Sequence, residues 1–180
     1  VEGEAGSGYR LMAGFDLPPL MLTHRESEAL IAAIRLLHTW GGDLLSRELE
    51  SAQEKVLAIL PEESRRKAEQ ARIFAPDFGR QLHSRSAFDV IHRAVTAQQV
   101  LALHYRDEAG QLSWRDVQPL GIFFEGKFWL LVAWCERRED YRCFRVDRCL
   151  SITPLDRRFC ERADRSLSDF LRKIRDETHA

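Results

Sequence analysis

The sequence lacks the features that mark membrane proteins and the common enzyme classes. It has no apolar run of about 18 residues, the length at which a helix can span a bilayer, and its opening VEGEAGSG is too polar for a signal peptide. No serine lies in a G-x-S-x-G motif, and no phosphate loop or dinucleotide fingerprint occurs. His104 could serve as a general base, but a half-exposed strand histidine explains it more simply. The sequence therefore predicts a non-enzyme with no membrane contact and no cofactor.

Cysteine and histidine lack the spacing of disulfide frameworks and metal sites. The four cysteines contain no C-x-x-C pair, and no two of the six histidines sit at helical spacing beside a carboxylate or cysteine. We expect buried reduced thiols, no metal and a cytoplasmic location. The net charge of −1 argues against a large nucleic-acid surface, although it allows a local basic pocket.

Enough apolar sequence remains for a true core. Of the 180 residues, 44% are hydrophobic and 31% are charged, which is typical of a folded globular protein. The chain does not begin with methionine, and we expect it to be a fragment of a longer protein.

Residues 23–76 have helical signals. A capping box, Thr23-His24-Arg25-Glu26, begins a first helix that Gly41-Gly42 ends. A second helix is predicted from about Asp43 to Leu60, and Pro61 begins a third. The first helix has an apolar stripe that either packs on the β domain of the same chain or forms a dimer contact: Leu30, Ile31, Ile34, Leu36 and Leu37.

After one short helix over 87–96, the signals change to those of strands. Aromatic and β-branched runs alternate with turns at 107–110 and 125–126, both of which contain glycine. Five short antiparallel strands after one helix predict a small closed or nearly closed barrel, and hence an α+β fold. A last helix is predicted after the capping residue Ser166.

The strongest of these signals is a β-hairpin over 127–148. Its first run is apolar on both faces, which is typical of a central strand. Its second run places Phe144 and Val146 on one face, with Arg142 and Arg148 at the two ends of that face, about 20 Å apart on an ideal strand. Arg145 is expected on the opposite face.

At this hairpin the sequence resembles the WYL-domain transcriptional regulators. Trp129-Leu130-Leu131 stands where that family has Trp-Tyr-Leu, so the tyrosine hydroxyl is absent here. The other motifs are similar in order and spacing: I-x-Y-R at 103–106, R-x-x-x-P at 115–119 and R-x-F-R-x-x-R at 142–148. Residues 8–23 are similar to the join between the family's winged helix-turn-helix and its helical linker.

The resemblance implies a domain order and a function. Residues 1–22 would be a remnant of the wing and linker, 23–76 a helical linker with a possible dimer contact, 84–157 an Sm-like (SH3-like) barrel, and 158–180 a helical extension. Operator DNA would be bound only through a missing N-terminal domain, by a homodimer. The barrel would sense an anionic effector, either a nucleotide or a short single-stranded nucleic acid.

Arginine is the residue type that suits such a ligand, because its planar guanidinium binds phosphate through paired hydrogen bonds. We expect the site at the barrel rim, with the following residues as ligands or stacking partners: Tyr105, Arg115, Trp129, Arg142, Arg145 and Arg148. Alternatively, the arginines pair with Asp107, Asp116, Asp140 and Asp147 as a solvated face. The chain would then be a constitutive dimerisation module, and a third possibility is an Sm-like RNA-binding protein.

Overall fold

The structure is a computed structural model that describes residues 21–69 and 82–178. Its elements, in chain order, are α1 (His24–Trp40), α2 (Asp43–Ile59), α3 (Glu62–Glu69), α4 (Leu82–Thr96), β1 (Gln99–Arg106), β2 (Leu112–Phe124), β3 (Trp129–Cys135), β4 (Asp140–Arg145), a 3-10 turn (Val146–Arg148), β5 (Cys149–Arg158) and α5 (Leu167–Thr178). The predicted wing remnant, except for its last two residues, and the segment after α3 lie outside the described residues. No helix in the described ranges is long and apolar enough to cross a membrane.

The predicted helix boundaries follow from local hydrogen bonds. Thr23 caps α1, because its Oγ1 accepts a hydrogen bond from the Glu26 amide at 3.3 Å and its own amide donates to Glu26 Oε2 at 2.7 Å. At the other end, the Gly41 amide donates to the carbonyl of Leu37. In α5 the Ser166 hydroxyl accepts from the Asp169 amide at 3.1 Å. Only α4 differs clearly, since it begins at Leu82 rather than near residue 87.

The five strands form one antiparallel sheet in the order β4-β3-β2-β1-β5. No ladder joins β4 to β5 among the described strands, so the sheet is open and a closed barrel is not confirmed, whereas the α+β class is. The segments 112–117 and 121–124, on either side of Pro119, belong to one long strand, β2, whose register shifts between Pro119 and Gly121. Proline cannot donate a ladder hydrogen bond, which fits its place at this irregularity.

Each face of the sheet is covered, and β3 is buried on both, as predicted. The face that packs on α4, here called the α4 face, includes Leu103 and Leu131, which are fully buried. The opposite face, called the α5 face, packs Val132 and Tyr141 against Phe170. Alternate residues of each strand therefore belong to different cores.

The linker helices pack on this same chain. Ile31 and Ile34, from the apolar stripe of α1, are buried. The Trp129 indole Nε1 donates to the Trp40 carbonyl at 2.6 Å, which joins the end of α1 to β3. The sequence allowed the apolar stripe of α1 either to pack within its own chain or to form a dimer contact. These contacts favour packing within the chain for the buried residues of the stripe. Leu30 and Leu36 stay exposed, and the homodimer remains a prediction.

Candidate functional site

The arginines of 142–148 do not lie along one strand. The strand β4 ends at Arg145, and Val146–Arg148 form a 3-10 turn. The prediction that Arg142 and Arg148 lie at the two ends of one strand face is therefore wrong, because it assumed an extended backbone throughout. Phe144 and Val146 are both buried.

Arg145 and Arg148 have carboxylate neighbours of their own. Arg145 lies on the face opposite Phe144, as predicted, with its guanidinium 3.9 Å from the centre of the Phe128 ring. It donates two hydrogen bonds to Asp147, at 3.1 and 2.7 Å. These bonds raise the pKa of Arg145 and lower the pKa of Asp147. Arg148 approaches Glu108 at 3.5 Å.

Arg115 and Arg142 meet in one cavity on the α4 face. The ladders place Arg115 opposite Leu103, and Arg142 opposite Ala133. Cross-strand partners point to the same face of a sheet, and Leu103 and Ala133 both belong to the α4-face core. The two arginines therefore lie on the α4 face, at the edge of that core and near the ends of β1 and β3. The cavity has a volume of about 180 Å³ and is lined by Tyr105, Asp107, Ser113, Arg115, Cys135, Arg138, Arg142, Cys143 and Phe144.

The lining of this cavity is cationic. It contains three guanidinium groups and one carboxylate, Asp107, whose Oδ1 already accepts from the Gln111 amide at 2.8 Å. Arg142 forms an ion pair with Asp140 at 2.7 Å, and both side chains are about half exposed. Arg138, in the turn after β3, makes no ion pair within residues 21–69 and 82–178.

Arg115 differs from the other arginines of the cavity. Its Nη1 is buried and has no hydrogen-bond partner, and the described part of the chain offers it no ion pair. A buried donor without a partner is rare in folded proteins, and a charged one is costly. The arrangement can therefore accept an anion as the missing partner.

Sequence reasoning missed Arg138, Ser113 and Cys135 at this cavity. Ser113 and Arg115 are two residues apart on β2 and so share a face, which was a usable signal. Arg138 lies in the charged turn of the hairpin, where nothing in the sequence distinguishes it from its charged neighbours. No sequence signal marks Cys135, whose position depends on its pairing with Val117.

Comparison with known proteins identifies the domain that holds this cavity. Residues 86–154 match the family model for the WYL domain. The chain contains a WYL domain. Among solved structures, the chain is similar to Proteasome accessory factor B/C (PafBC) of Arthrobacter aurescens, with 24% sequence identity and a TM-score of 0.41. That match covers 78% of this chain and 21% of the PafBC chain, so the chain spans about a fifth of its length.

The aromatic residues expected to stack on a ligand are separated within the WYL domain. Tyr105 lines the cavity, but its ring packs edge-on against Phe144 at 5.1 Å and its hydroxyl accepts from the Arg145 amide at 3.3 Å. Trp129 does not line it, because its indole packs between Phe88 and Phe124, 4.9 Å from each ring. Trp129 therefore has a structural role at the junction with α1.

Other polar groups of the WYL domain give no second chemical site. His104 stacks on Trp114 with ring centres 4.4 Å apart, on a different face from Arg115. The four cysteines lie outside any disulfide, and Cys143 and Cys160 are exposed rather than buried as expected. Burial raises the pKa of Cys149 to about 12, which leaves that thiol protonated and unreactive. No group of three potential metal ligands occurs among the described residues.

Proposed function

We propose that this chain is the effector-sensing part of a transcriptional regulator and that its WYL domain binds an anionic ligand in the cavity between β1 and β4. The ligand would be a nucleotide or a short single-stranded nucleic acid. Operator DNA would be bound by a winged helix-turn-helix outside this chain, in a homodimeric regulator. The observation that supports the cavity as the site is the buried Nη1 of Arg115, which has no partner among the described residues.

The proposed ligand contacts are Arg115, Arg138 and Arg142, with Tyr105 as part of the wall. Guanidinium groups suit a phosphate, since each presents several donors in a fixed plane. Arg145 and Arg148 do not belong to this set, because neither lines the cavity. Trp129 is likewise assigned to the junction with α1.

Titration of a fluorescently labelled short oligonucleotide, followed by anisotropy, tests this proposal. Each charge-assisted hydrogen bond contributes about 1.5–3 kcal/mol, so Arg115→Gln or Arg142→Gln should weaken binding by about tenfold to a hundredfold. Arg175→Gln is the matched control, because Arg175 lies on α5 with an exposed side chain. A salt series should show a steep loss of affinity, which is the signature of phosphate contacts.

The alternative that the arginines are structural has one observation in its favour. Arg142, Arg145 and Arg148 each have a carboxylate neighbour, at 2.7, 2.7 and 3.5 Å. Under that alternative the chain is a constitutive interaction module, and the glutamine variants change no affinity. Folded variants of both Arg115 and Arg142 that bind like the wild type would support this alternative and contradict the sensor proposal.

A further inference from the structure

We infer that the cavity takes the end of a ligand, a terminal phosphomonoester, in preference to an internal phosphodiester. This inference rests on the proposed function and specifies the chemical group that the same cavity recognises. The group can come from a mononucleotide or from the phosphorylated end of an oligonucleotide. Three features of the cavity support it: its closed inner end, its charge and its lack of a free aromatic surface.

The inner end of the cavity is closed by the protein core. Cys135 is fully buried and Phe144 is 5% exposed, and both belong to the cluster that packs on α4. At about 180 Å³ the cavity is smaller than the roughly 300–1,000 Å³ of pockets that enclose whole drug-sized ligands. A group with one attachment point fits a space that opens on one side. An internal phosphodiester continues in two directions, so it can only lie across the opening.

Charge favours the monoester as well. The three guanidinium groups outnumber the one carboxylate of the lining, Asp107. A phosphomonoester has a charge of about −1.5 to −2 at pH 7 and three acceptor oxygens, one for each of Arg115, Arg138 and Arg142. A diester has a single negative charge and two free oxygens. The monoester therefore offers more partners to a site where one guanidinium nitrogen has none.

The aromatic side chains of the cavity leave little surface for a base. Phe144 is buried, and Tyr105 packs edge-on against it. The Tyr105 hydroxyl already accepts a hydrogen bond from the backbone of β4. Because the bound group would be held through phosphate rather than through stacking, we expect affinity to depend on the terminal phosphate far more than on base identity.

The test compares ligands that differ only at their ends. A labelled short oligothymidylate is prepared with a 5′-phosphate, with a 3′-phosphate and with hydroxyls at both ends. Thymidine monophosphate and thymidine compete as unlabelled ligands, which separates mononucleotides from oligonucleotide ends. The inference expects at least one phosphorylated oligonucleotide to bind tenfold or more tightly than the hydroxyl form. Arg115→Gln and Arg142→Gln should each remove most of this preference, whereas Arg175→Gln should retain it.

A pH series gives a readout that a structural effect would not produce. The second proton of a phosphomonoester leaves near pH 6, so the preference should fall as the pH is lowered from 7.5 to about 5. Binding of the hydroxyl form should not show this step. No histidine, the side chain that ordinarily titrates in this range, lines the cavity among the described residues. The titratable or charged residues that line the cavity are Tyr105, Asp107, Arg115, Cys135, Arg138, Arg142 and Cys143.

The outcomes separate the inference from the proposed function. Equal affinity for phosphorylated and hydroxyl ends, lost in both glutamine variants, would overturn end recognition and leave the anion site in place. Failure of every ligand to bind the wild-type chain would overturn the proposed function itself, and the end inference with it. Preferential binding that survives both glutamine variants would show that the phosphate is held elsewhere, which overturns the inference for this cavity.

Discussion

Replacing Arg115 with methionine should stabilise the ligand-free protein while it removes anion binding. Arg115 stands opposite the fully buried Leu103, and its Nη1 is buried without a partner. An unpaired buried donor costs about 1–3 kcal/mol, and more when it is charged. Replacing a buried charged group with an apolar side chain of similar volume is often neutral or stabilising. Methionine is unbranched and flexible, so it can fill the space of the arginine stem.

The expected gain lies at the low end of this range. Arg115 is only half-buried and lines the cavity, so water reaches part of its side chain. We therefore expect the free energy of unfolding to rise by about 1 kcal/mol, which for a chain of this size raises Tm by roughly 2–4 °C. Arg142→Met is the matched control. Its ion pair with Asp140 is about half exposed, and such pairs contribute roughly 0–1 kcal/mol, so its Tm should change little or fall slightly.

Thermal unfolding followed by circular dichroism, with and without thymidine monophosphate, measures both effects. A ligand that binds only the native state stabilises it by RT ln(1 + [L]/Kd), so the wild type should gain Tm with ligand and Arg115→Met should not. A loss of more than about 1 kcal/mol in ligand-free Arg115→Met would refute the reasoning, because Nη1 would then have a stabilising partner. Undiminished stabilisation by ligand in that variant would refute the role of Arg115 in binding.

Two further predictions test how the outer helices attach to the sheet. Tyr141→Phe should cost about 1–3 kcal/mol in urea unfolding, because the hydroxyl donates to buried Asp169 at 2.8 Å. Burial, with Asp169 beside it, raises the Tyr141 pKa to about 12, so the stability from the neutral hydroxyl is complete below pH 10 and lost as the pH rises towards 12. The loss of folding stability at high pH should be smaller in Tyr141→Phe, because Tyr141 no longer contributes to it while other groups, such as the Cys149 thiol, still do. An equal loss in the wild type and the variant would contradict the assignment. Gly42→Ala should lower the free energy of unfolding by more than about 1 kcal/mol, since a Cβ there would lie 2.0 Å from Asp89 Oδ1. In an Asp89→Ala background most of this loss should disappear, because the carboxylate that the Cβ meets is gone.

The elements that sequence analysis predicted are those with local signals. The cap of α1 depends on side chains three residues apart, and the burial of β3 on both faces follows from its continuous apolar run. Phe144 shares a strand face with Arg142 because side chains alternate along any strand. These features need no knowledge of which segment lies next to which.

The features that it missed depend on contacts distant in sequence. Val146–Arg148 continues the alternation of buried and polar residues of β4, yet it forms a 3-10 turn in which Val146 is buried against the α4-face core. The Cys149 thiol, buried at the start of β5, donates to the Arg145 carbonyl across this turn at 3.7 Å. Alternation along the sequence does not distinguish this turn from a continued strand. The closed barrel was overpredicted for a similar reason, since strand alternation does not specify whether the outer strands pair.

The composition of the site was the least predictable part, because it depends on register. A motif lists Arg115, Arg142, Arg145 and Arg148 without stating which of them face one another. Pairing of Arg115 with Leu103, and of Arg142 with Ala133, brings two of them to one cavity. A shift of either ladder by one residue would have moved its arginine to the α5 face.

The helix α4 lies between the cavity and the helix α2, and it contacts both. On one side, its Ala87 and Ile91 share a core with Phe144, which forms the inner end of the cavity. On its other side, Arg85 pairs with Asp43 at 2.7 Å, and Asp89 accepts a hydrogen bond from the Leu44 amide at 3.0 Å. The second bond caps α2, so any displacement of α4 alters the first turn of the linker helix. A sensor requires two states to which the ligand binds unequally. In the proposed sensor, a ligand-dependent shift therefore has two physical routes to the N-terminal helices: through α4 to α2, and through the hydrogen bond from Trp129 to the Trp40 carbonyl at the end of α1.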